Sequence, residues 1–239
     1  MLLQQRDRPA ILIDAGPPGD GIADSLRAAA VDELAAVIVT HDHLDHFGGV
    51  REVIESVPVD RLLVGYPVPE AAAAARLAHV PVRRLSAGTT LRLGRLRLEV
   101  LSPAPDAPAP ADPNEGSVVI RAGFGPWSAL LPGDAEQEAT HLQPGPFDLL
   151  KVAHHGSADA GLEQLLSTSA PRIALIDVGE GNDYGHPDAE TLTTLARHGV
   201  CVLRTDVDGD AGAELGPGGL TAFAEHGIEP GRPGCEGLG

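Results

Sequence analysis

The sequence predicts an α/β fold in a single domain, on three observations. Short apolar runs of strand length alternate with longer segments of helical period. Four of the strand-like runs end in clusters of His, Asp or Lys, which places the polar chemistry at strand C-termini. At 239 residues the chain can bury one large core, and no repeat or composition break divides it.

The elements follow in order. Residues 10–14 (AILID) read as a strand closed by AGPPGDG, and 22–30 as an amphipathic helix. Residues 35–40 (AAVIVT) read as a buried strand opening into HDHLDHFGG, from which a helix runs to residue 56. A strand at 61–65 and a helix at 70–78 come next. LRLGRLRLEV alternates strictly about Gly94 and predicts a hairpin. The Pro-rich segment 102–116 is an exposed loop. Strands at 117–122 and 127–131 lead to PGD and a helix at 135–142. Residues 149–153 form a strand ending in HHGS, and 160–167 a helix. A strand at 172–178 ends in GEGNDYGHP. A helix at 188–198 and strands at 200–204 and 219–223 complete a domain over residues 1–225. Residues 226–239, rich in Gly and Pro, are expected to be a flexible tail.

Composition removes several classes of function. No apolar run approaches the roughly 18 residues of a membrane span, and the start lacks the pattern of a signal peptide, so a soluble chain without membrane insertion is expected. The net charge of −17, from 17 basic and 34 acidic residues, argues against affinity for nucleic acid or anionic lipid through bulk charge. A local basic surface or a metal site remains open. Cys201 and Cys235 are too few for a disulfide framework or a cysteine metal site, and the surroundings of Cys235 count against a pair. Lys151 is the sole lysine.

The densest cluster is His41-Asp42-His43-Leu44-Asp45-His46, with three of the ten histidines in six residues after a buried strand. Imidazole and carboxylate in that density suit Zn, Mn or Fe, and Gly48-Gly49 lets backbone pass close by. Asp134 ends a strand after Gly133, where one carboxylate can bridge two cations or simply cap the next helix. In Lys151-Val-Ala-His154-His155-Gly156-Ser157, one histidine can ligate while the other acts on substrate. Strand alternation would put Lys151 on the side of His155 rather than His154. Lys151 neutralises a phosphate or simply faces solvent, and His186 is a ligand or a proton donor.

THDHLDHFGG is the HxHxDH signature of the metallo-β-lactamase superfamily. With NEGSVVI, LLPGD, DLLKVAHHGS, ALIDVGEGNDYGHP and VLRTDVDGD, the chain resembles the C-terminal metallo-β-lactamase-like domain of the ComEC competence proteins over about residues 10–223. The resemblance implies an αββα four-layer sandwich with a metal site at one sheet edge. It implies a metal-dependent nuclease in DNA uptake, with two divalent ions, Mn or Zn. His41, His43, Asp45, His46, Asp134 and His155 would be metal ligands, Asp134 the bridge, with either HHGS histidine able to take the ligand place. His154, His186 and Lys151 would be catalytic. Asn114, Ser117 and Ser157 would bind substrate; since no His lies between His79 and His141, one metal position would be weaker or filled by Asn114, Ser117 or water. His41, His43, Asp45, His46, Asp134, His186 and one of His154 and His155 are expected to converge on one cleft. The partner would be single-stranded DNA held by its phosphates, and a membrane DNA channel. Family members carry a further strand where this chain starts, and the membrane channel portion is absent, so the chain reads as N-terminally short. In the family the domain is tethered to a bacterial membrane protein.

Two other readings compete. One is a hydrolase of the same fold acting on a small ester, thioester or lactam; the other is a non-catalytic remnant that binds DNA or a channel partner. Arg83, Arg84, Arg92, Arg95 and Arg97 could form a basic rim, although ordinary solvated strand faces is the weightier reading. Asp206-Val-Asp208-Gly-Asp210 is read as a tight turn rather than a calcium loop.

Overall fold

A computed structural model of the chain describes residues 1–216 and 218–238. These residues form two compact units, one up to Val119 and one from Ile120 onward.

In the first unit, β1 (Leu2–Leu3), β2 (Ala10–Ile13), β3 (Leu34–Val39), β4 (Leu62–Val64) and β5 (Val82–Arg84) make one sheet in that order. β1 is antiparallel and the rest are parallel. Parallel strands need crossovers, and α1 (Ile22–Ala28), α3 (Val50–Ser56) and α4 (Pro69–Leu77) supply them. Leu26, Val53 and Ala75 of these helices pack into one cluster with Leu12, Val37, Val39 and Leu62 of the sheet. Burial on both faces explains why β3 reads as a continuous apolar run rather than an alternating one.

The helix expected up to residue 56 is split into α2 (Leu44–Phe47) and α3. Gly48 and Gly49 are the cause. A Cβ at Gly49 would lie 2.2 Å from the Ala15 carbonyl oxygen, and one at Gly48 would lie 2.5 Å from that of Leu44. The close approach lets Ala15 N donate to His46 O at 2.8 Å. β6 (Thr90–Leu93) and β7 (Leu96–Ser102) form the antiparallel hairpin about Gly94, with Leu96, Leu98 and Val100 buried and Arg92, Arg95 and Arg97 exposed.

In the second unit the strand order is β12-β11-β10-β9-β8. β8 is Val119–Phe124, β9 Trp127–Leu131, β10 Leu149–Lys151, β11 Ile173–Ile176 and β12 Cys201–Arg204. β8 and β9 are antiparallel and the others parallel. Helices α5 (Gln137–His141), α6 (Leu162–Ser169) and α7 (Ala189–Arg197) connect them. Asp188 caps α7 by accepting from Glu190 N at 2.7 Å. A short α8 (Thr205–Asp208) leads to a hairpin of β13 (Ala211–Gly216) and β14 (Gly219–Ala224), of which sequence patterning gave only the second strand.

Two expectations about the C-terminus are corrected. Cys201 and Cys235 form a disulfide, 34 residues apart, with both cysteines buried. The segment after Glu225 is tied down rather than free. Arg232 makes two hydrogen bonds to the buried Asp208 carboxylate, at 2.8 and 2.6 Å, and Ala222 N donates to Leu238 O. Gly/Pro content describes the local chain, while the anchor on Asp208 and the disulfide come from residues 24 or more positions away, which local patterning does not see. Asp206 and Asp208 are likewise spoken for, pairing with Arg204 and Arg232.

Candidate metal centre

The first unit contributes the loop between β3 and α2. Asp14, at the end of β2, organises it by accepting three hydrogen bonds. Its Oδ1 accepts from Thr40 N at 2.8 Å, and its Oδ2 accepts from Thr40 Oγ1 at 2.9 Å and from His46 Nδ1 at 2.8 Å. A carboxylate only accepts, so His46 carries its proton on Nδ1 and keeps its Nε2 lone pair. Thr40 Oγ1, having given its proton to Asp14, accepts from His41 Nδ1 at 3.0 Å, and Ser117 Oγ lies 3.2 Å from the same nitrogen. His41 Nε2 is thereby also the lone-pair nitrogen, 3.0 Å from His43 Nδ1. His41, His46 and Ser117 are buried, whereas the Asp45 side chain is half-exposed, its Oδ2 3.7 Å from His46 Nε2. Burial raises the Asp14 pKa, but His46 and the hydrogen bonds outweigh it and hold Asp14 below the usual carboxylate range.

Asn114 lies in the turn before Ser117. Its Oδ1 is buried and has no hydrogen-bond partner among the described residues. A buried acceptor left in that state costs free energy unless something with positive character meets it.

The second unit contributes a constellation around Asp134, which is 2% exposed and follows Gly133 (φ 62°) at the end of β9. Three nitrogen groups approach it. Lys151 Nζ is 4.0 Å from Oδ1, and His154 Nε2 and His155 Nε2 are 4.0 and 3.9 Å from Oδ2. The strand alternation expected through 149–153 does not hold there, because β10 ends at Lys151. The chain then turns with φ of 46°, 53° and 83° at His154, His155 and Gly156. Two adjacent non-glycine residues in the left-handed region cost about 1–3 kcal/mol each. Their gain is that both imidazoles face Asp134. Gly156 has no alternative, since a Cβ would lie 2.6 Å from that of Pro187.

The two histidines differ in what holds their far nitrogen. His155 Nδ1 donates to the Asp177 carbonyl at 2.7 Å, which leaves Nε2 as the nitrogen turned toward Asp134 and suited to a metal. His154 Nδ1 donates to Glu136 Oε1 at 2.9 Å. That bond is the main reason the His154 pKa is raised, against burial, and the Glu136 pKa is lowered for the same reason. Ser157 spends its hydroxyl on the same Glu136 oxygen. Lys151, 6% exposed, pairs with Asp177 Oδ1 at 3.0 Å, which overturns the reading of it as a solvated strand residue. His186 is held by Asn182, whose amide brackets its backbone N–H and carbonyl, and its ring stands 5.7 Å from that of His154. Burial and the neighbouring imidazoles lower its pKa.

Sequence reasoning missed Asp14, Thr40, Glu136 and Asp177. The available signal was position: Asp14 and Asp177 each end a buried strand, as Asp134 does. The donors in each unit are of the types that suit a divalent cation. His41 and His46 in the first unit, and His155 in the second, each have Nδ1 engaged, which turns Nε2 to the outside of the pair, the pattern seen in metal histidines. Carboxylates accompany them in both units.

Comparison with known proteins agrees with this donor chemistry. A family model described as the metallo-beta-lactamase superfamily matches residues 1–179. ComE operon protein 3 of Bacillus subtilis is 35% identical over 195 residues, covering 77% of this chain and 25% of that protein. Competence protein ComA of Neisseria gonorrhoeae is 29% identical over 84% of this chain and 28% of its own length. Recombination protein 2 of Haemophilus influenzae is 32% identical over 74% of this chain and 22% of its own. The chain thus spans about a quarter of these relatives. Among solved structures, the metallo-beta-lactamase fold protein YhfI from Bacillus subtilis aligns with a TM-score of 0.57, at 14% identity over 85% of this chain and 86% of that one. CmlA, a diiron beta-hydroxylase from Streptomyces venezuelae, aligns with a TM-score of 0.55, at 16% identity over 82% of this chain and 49% of that one. At such identity these two speak for the fold alone.

Proposed function

The chain belongs to the metallo-β-lactamase superfamily, and from that premise we propose that it is a metal-dependent phosphodiesterase that cleaves DNA during competence-type DNA uptake. Membership supplies the coarse class, a metal-dependent hydrolase of metallo-β-lactamase fold. The similarity to ComE operon protein 3, ComA and Recombination protein 2 supports the competence setting. Among the described residues no helix is long and apolar enough to cross a membrane. In this reading a membrane DNA channel is a partner.

The observation that carries the choice of phosphodiester is the ring of nitrogen groups about Asp134, two imidazoles and an ammonium at 3.9–4.0 Å. In this reading His41, His43, Asp45, His46, Asp134 and His155 hold two divalent ions, Mn or Zn, with Asn114 and Ser117 beside the first-unit donors. Such ions, when bound, supply Lewis acidity and a water acidic enough to attack phosphorus at neutral pH. The rest falls to the chain's own side chains. Glu136 keeps His154 oriented through Nδ1, so that Nε2 presents a proton to the leaving oxygen. Lys151 is fixed by Asp177 beside Asp134, where its charge offsets that of a phosphate in the transition state. His186 stands next to His154 as the second proton carrier.

The test pairs cleavage of plasmid and single-stranded DNA in Mn with a panel of small esters and thioesters. DNA cleavage that Asp134→Ala abolishes, together with most bound metal, supports the reading. Ester hydrolysis without DNA cleavage favours the small-substrate alternative, and a metal-free inert protein the non-catalytic one.

A further inference from the structure

The first unit carries a cleft of about 420 Å³ that the proposed chemistry does not use. Tyr66, Pro67, Arg83 and Arg84 form one wall and the Pro-rich loop about Pro108 the other. Its position follows from topology. β3, β4 and β5 are parallel neighbours, with Val39 opposite Val64 and Val64 opposite Arg84, so their C-terminal ends lie on one edge of the sheet. β3 leads into the His41 loop, β4 into Tyr66 and β5 ends at Arg84. Two strand spacings, about 10 Å, separate the first from the third. A small ester held at the His41 loop would end before the cleft; a polymer would run into it.

The chemistry of the walls is specific. The Arg84 guanidinium lies over the Tyr66 ring, 5.5 Å from its centroid, and its Nε donates to Gly65 O at 3.0 Å. This gives a fixed π-cation plane at the cleft. In a chain with twice as many acids as bases, neither Arg83 nor Arg84 pairs with a carboxylate among the described residues, and both are exposed. Aromatic stacking beside unneutralised arginines is how single strands are bound without sequence preference. The opposite wall brings no side chain that reads base edges: Ala107, Pro108 and Ala109 are apolar. It is also braced toward the metal loop. A Cβ at Gly116 would lie 3.0 Å from both Tyr66 and Pro110, so the absence of one lets the Pro-rich loop seat on Tyr66. The next residue, Ser117, reaches His41 through its hydroxyl.

We propose that this cleft is a nucleotide subsite of the phosphodiesterase centre, stacking a base of single-stranded DNA on Tyr66 and Arg84 while Arg83 and Arg84 hold adjacent phosphates. The assignment rests on the phosphodiesterase reading and names how that site takes a polymer. Its test measures binding of a fluorescent 20-nucleotide oligo(dT) by anisotropy, in EDTA, with the full chain. The parent binds, and log Kd rises with log salt. Arg83→Ala combined with Arg84→Ala weakens binding about tenfold or more and lowers the salt slope by roughly 0.7 for each phosphate no longer neutralised. Tyr66→Ala weakens binding about fivefold or more, while Tyr66→Phe binds like the parent. Arg92→Ala combined with Arg97→Ala, on the β6–β7 hairpin, leaves affinity within twofold. In Mn, the Arg83/Arg84 variant raises KM for the oligonucleotide but cleaves bis(p-nitrophenyl) phosphate at the parental rate. Parental oligonucleotide affinity in a folded Arg83/Arg84 variant overturns the subsite, even if DNA cleavage stands. Arginine-dependent binding by a parent that never cleaves in Mn overturns the phosphodiesterase reading and leaves the cleft a single-strand binding site.

Discussion

His154 Nδ1 and Glu136 Oε1 are 2.9 Å apart, and Glu136 stands two residues beyond the buried Asp134. One short stretch of chain therefore supplies both a candidate bridging carboxylate and the group that orients a candidate acid. Glu136→Gln should lower kcat for DNA cleavage about 10–100-fold while metal content stays parental, because the carboxylate charge that raises the His154 proton affinity is lost and no ligand is. Metal analysis beside single-turnover cleavage checks this. A loss of metal would move Glu136 from the proton path to the metal site.

Asp14 acts on His46 and, through Thr40, on His41. Asp14→Ala should weaken metal binding about 10–100-fold, the usual cost of removing an outer-shell partner. Titration with Zn against a competing chelator reads the effect directly. Parental affinity would show that the His41 and His46 rings hold their orientation without it.

Lys151 is enclosed between Asp177 and Asp134. Lys151→Ala should reduce phosphodiester cleavage and leave metal content intact. Lys151→Arg should fail to restore the rate, since a planar guanidinium does not fill the buried place of a compact ammonium. Unchanged cleavage in Lys151→Ala ends the catalytic assignment.

Acid should loosen the C-terminal segment first. Burial raises the Asp208 pKa, but the Arg232 hydrogen bonds and the Arg204 backbone bond outweigh it, so the folded value lies below the unfolded one. A depressed carboxylate pKa contributes stability that is full above the unfolded value, about 3.9, and is lost as pH falls through the folded value. Protection of residues 226–238 against hydrogen exchange, taken against the intrinsic rate at each pH, should therefore fall below about pH 4, and Asp208→Asn should bring that lower protection to neutral pH.

The parts legible in the sequence are those set by local pattern. The buried parallel strands showed as apolar runs, the β6–β7 hairpin as alternation about Gly94, and the His41–His46 cluster as composition. What escaped depends on pairing at a distance. Asp14 reads as an ordinary residue before a Gly-Pro turn until His46, 32 positions on, is seen to bond it. The turn at His154 and His155 escaped for a different reason. No propensity favours two successive left-handed non-glycine residues, so alternation was the natural extrapolation and it failed where β10 stopped.

The Cys201–Cys235 disulfide turns the last part of the chain into a covalent ring that contains α8 and the β13–β14 hairpin. A single proteolytic cut inside that ring does not divide the molecule. The severed ends stay joined through sulfur, and the fragments part only when a reductant is added. In surroundings where proteases meet the protein, a clipped hairpin would leave Arg232 on Asp208 and β12 in its sheet, so the chain tolerates a wound that would shed the same segment from a reduced copy.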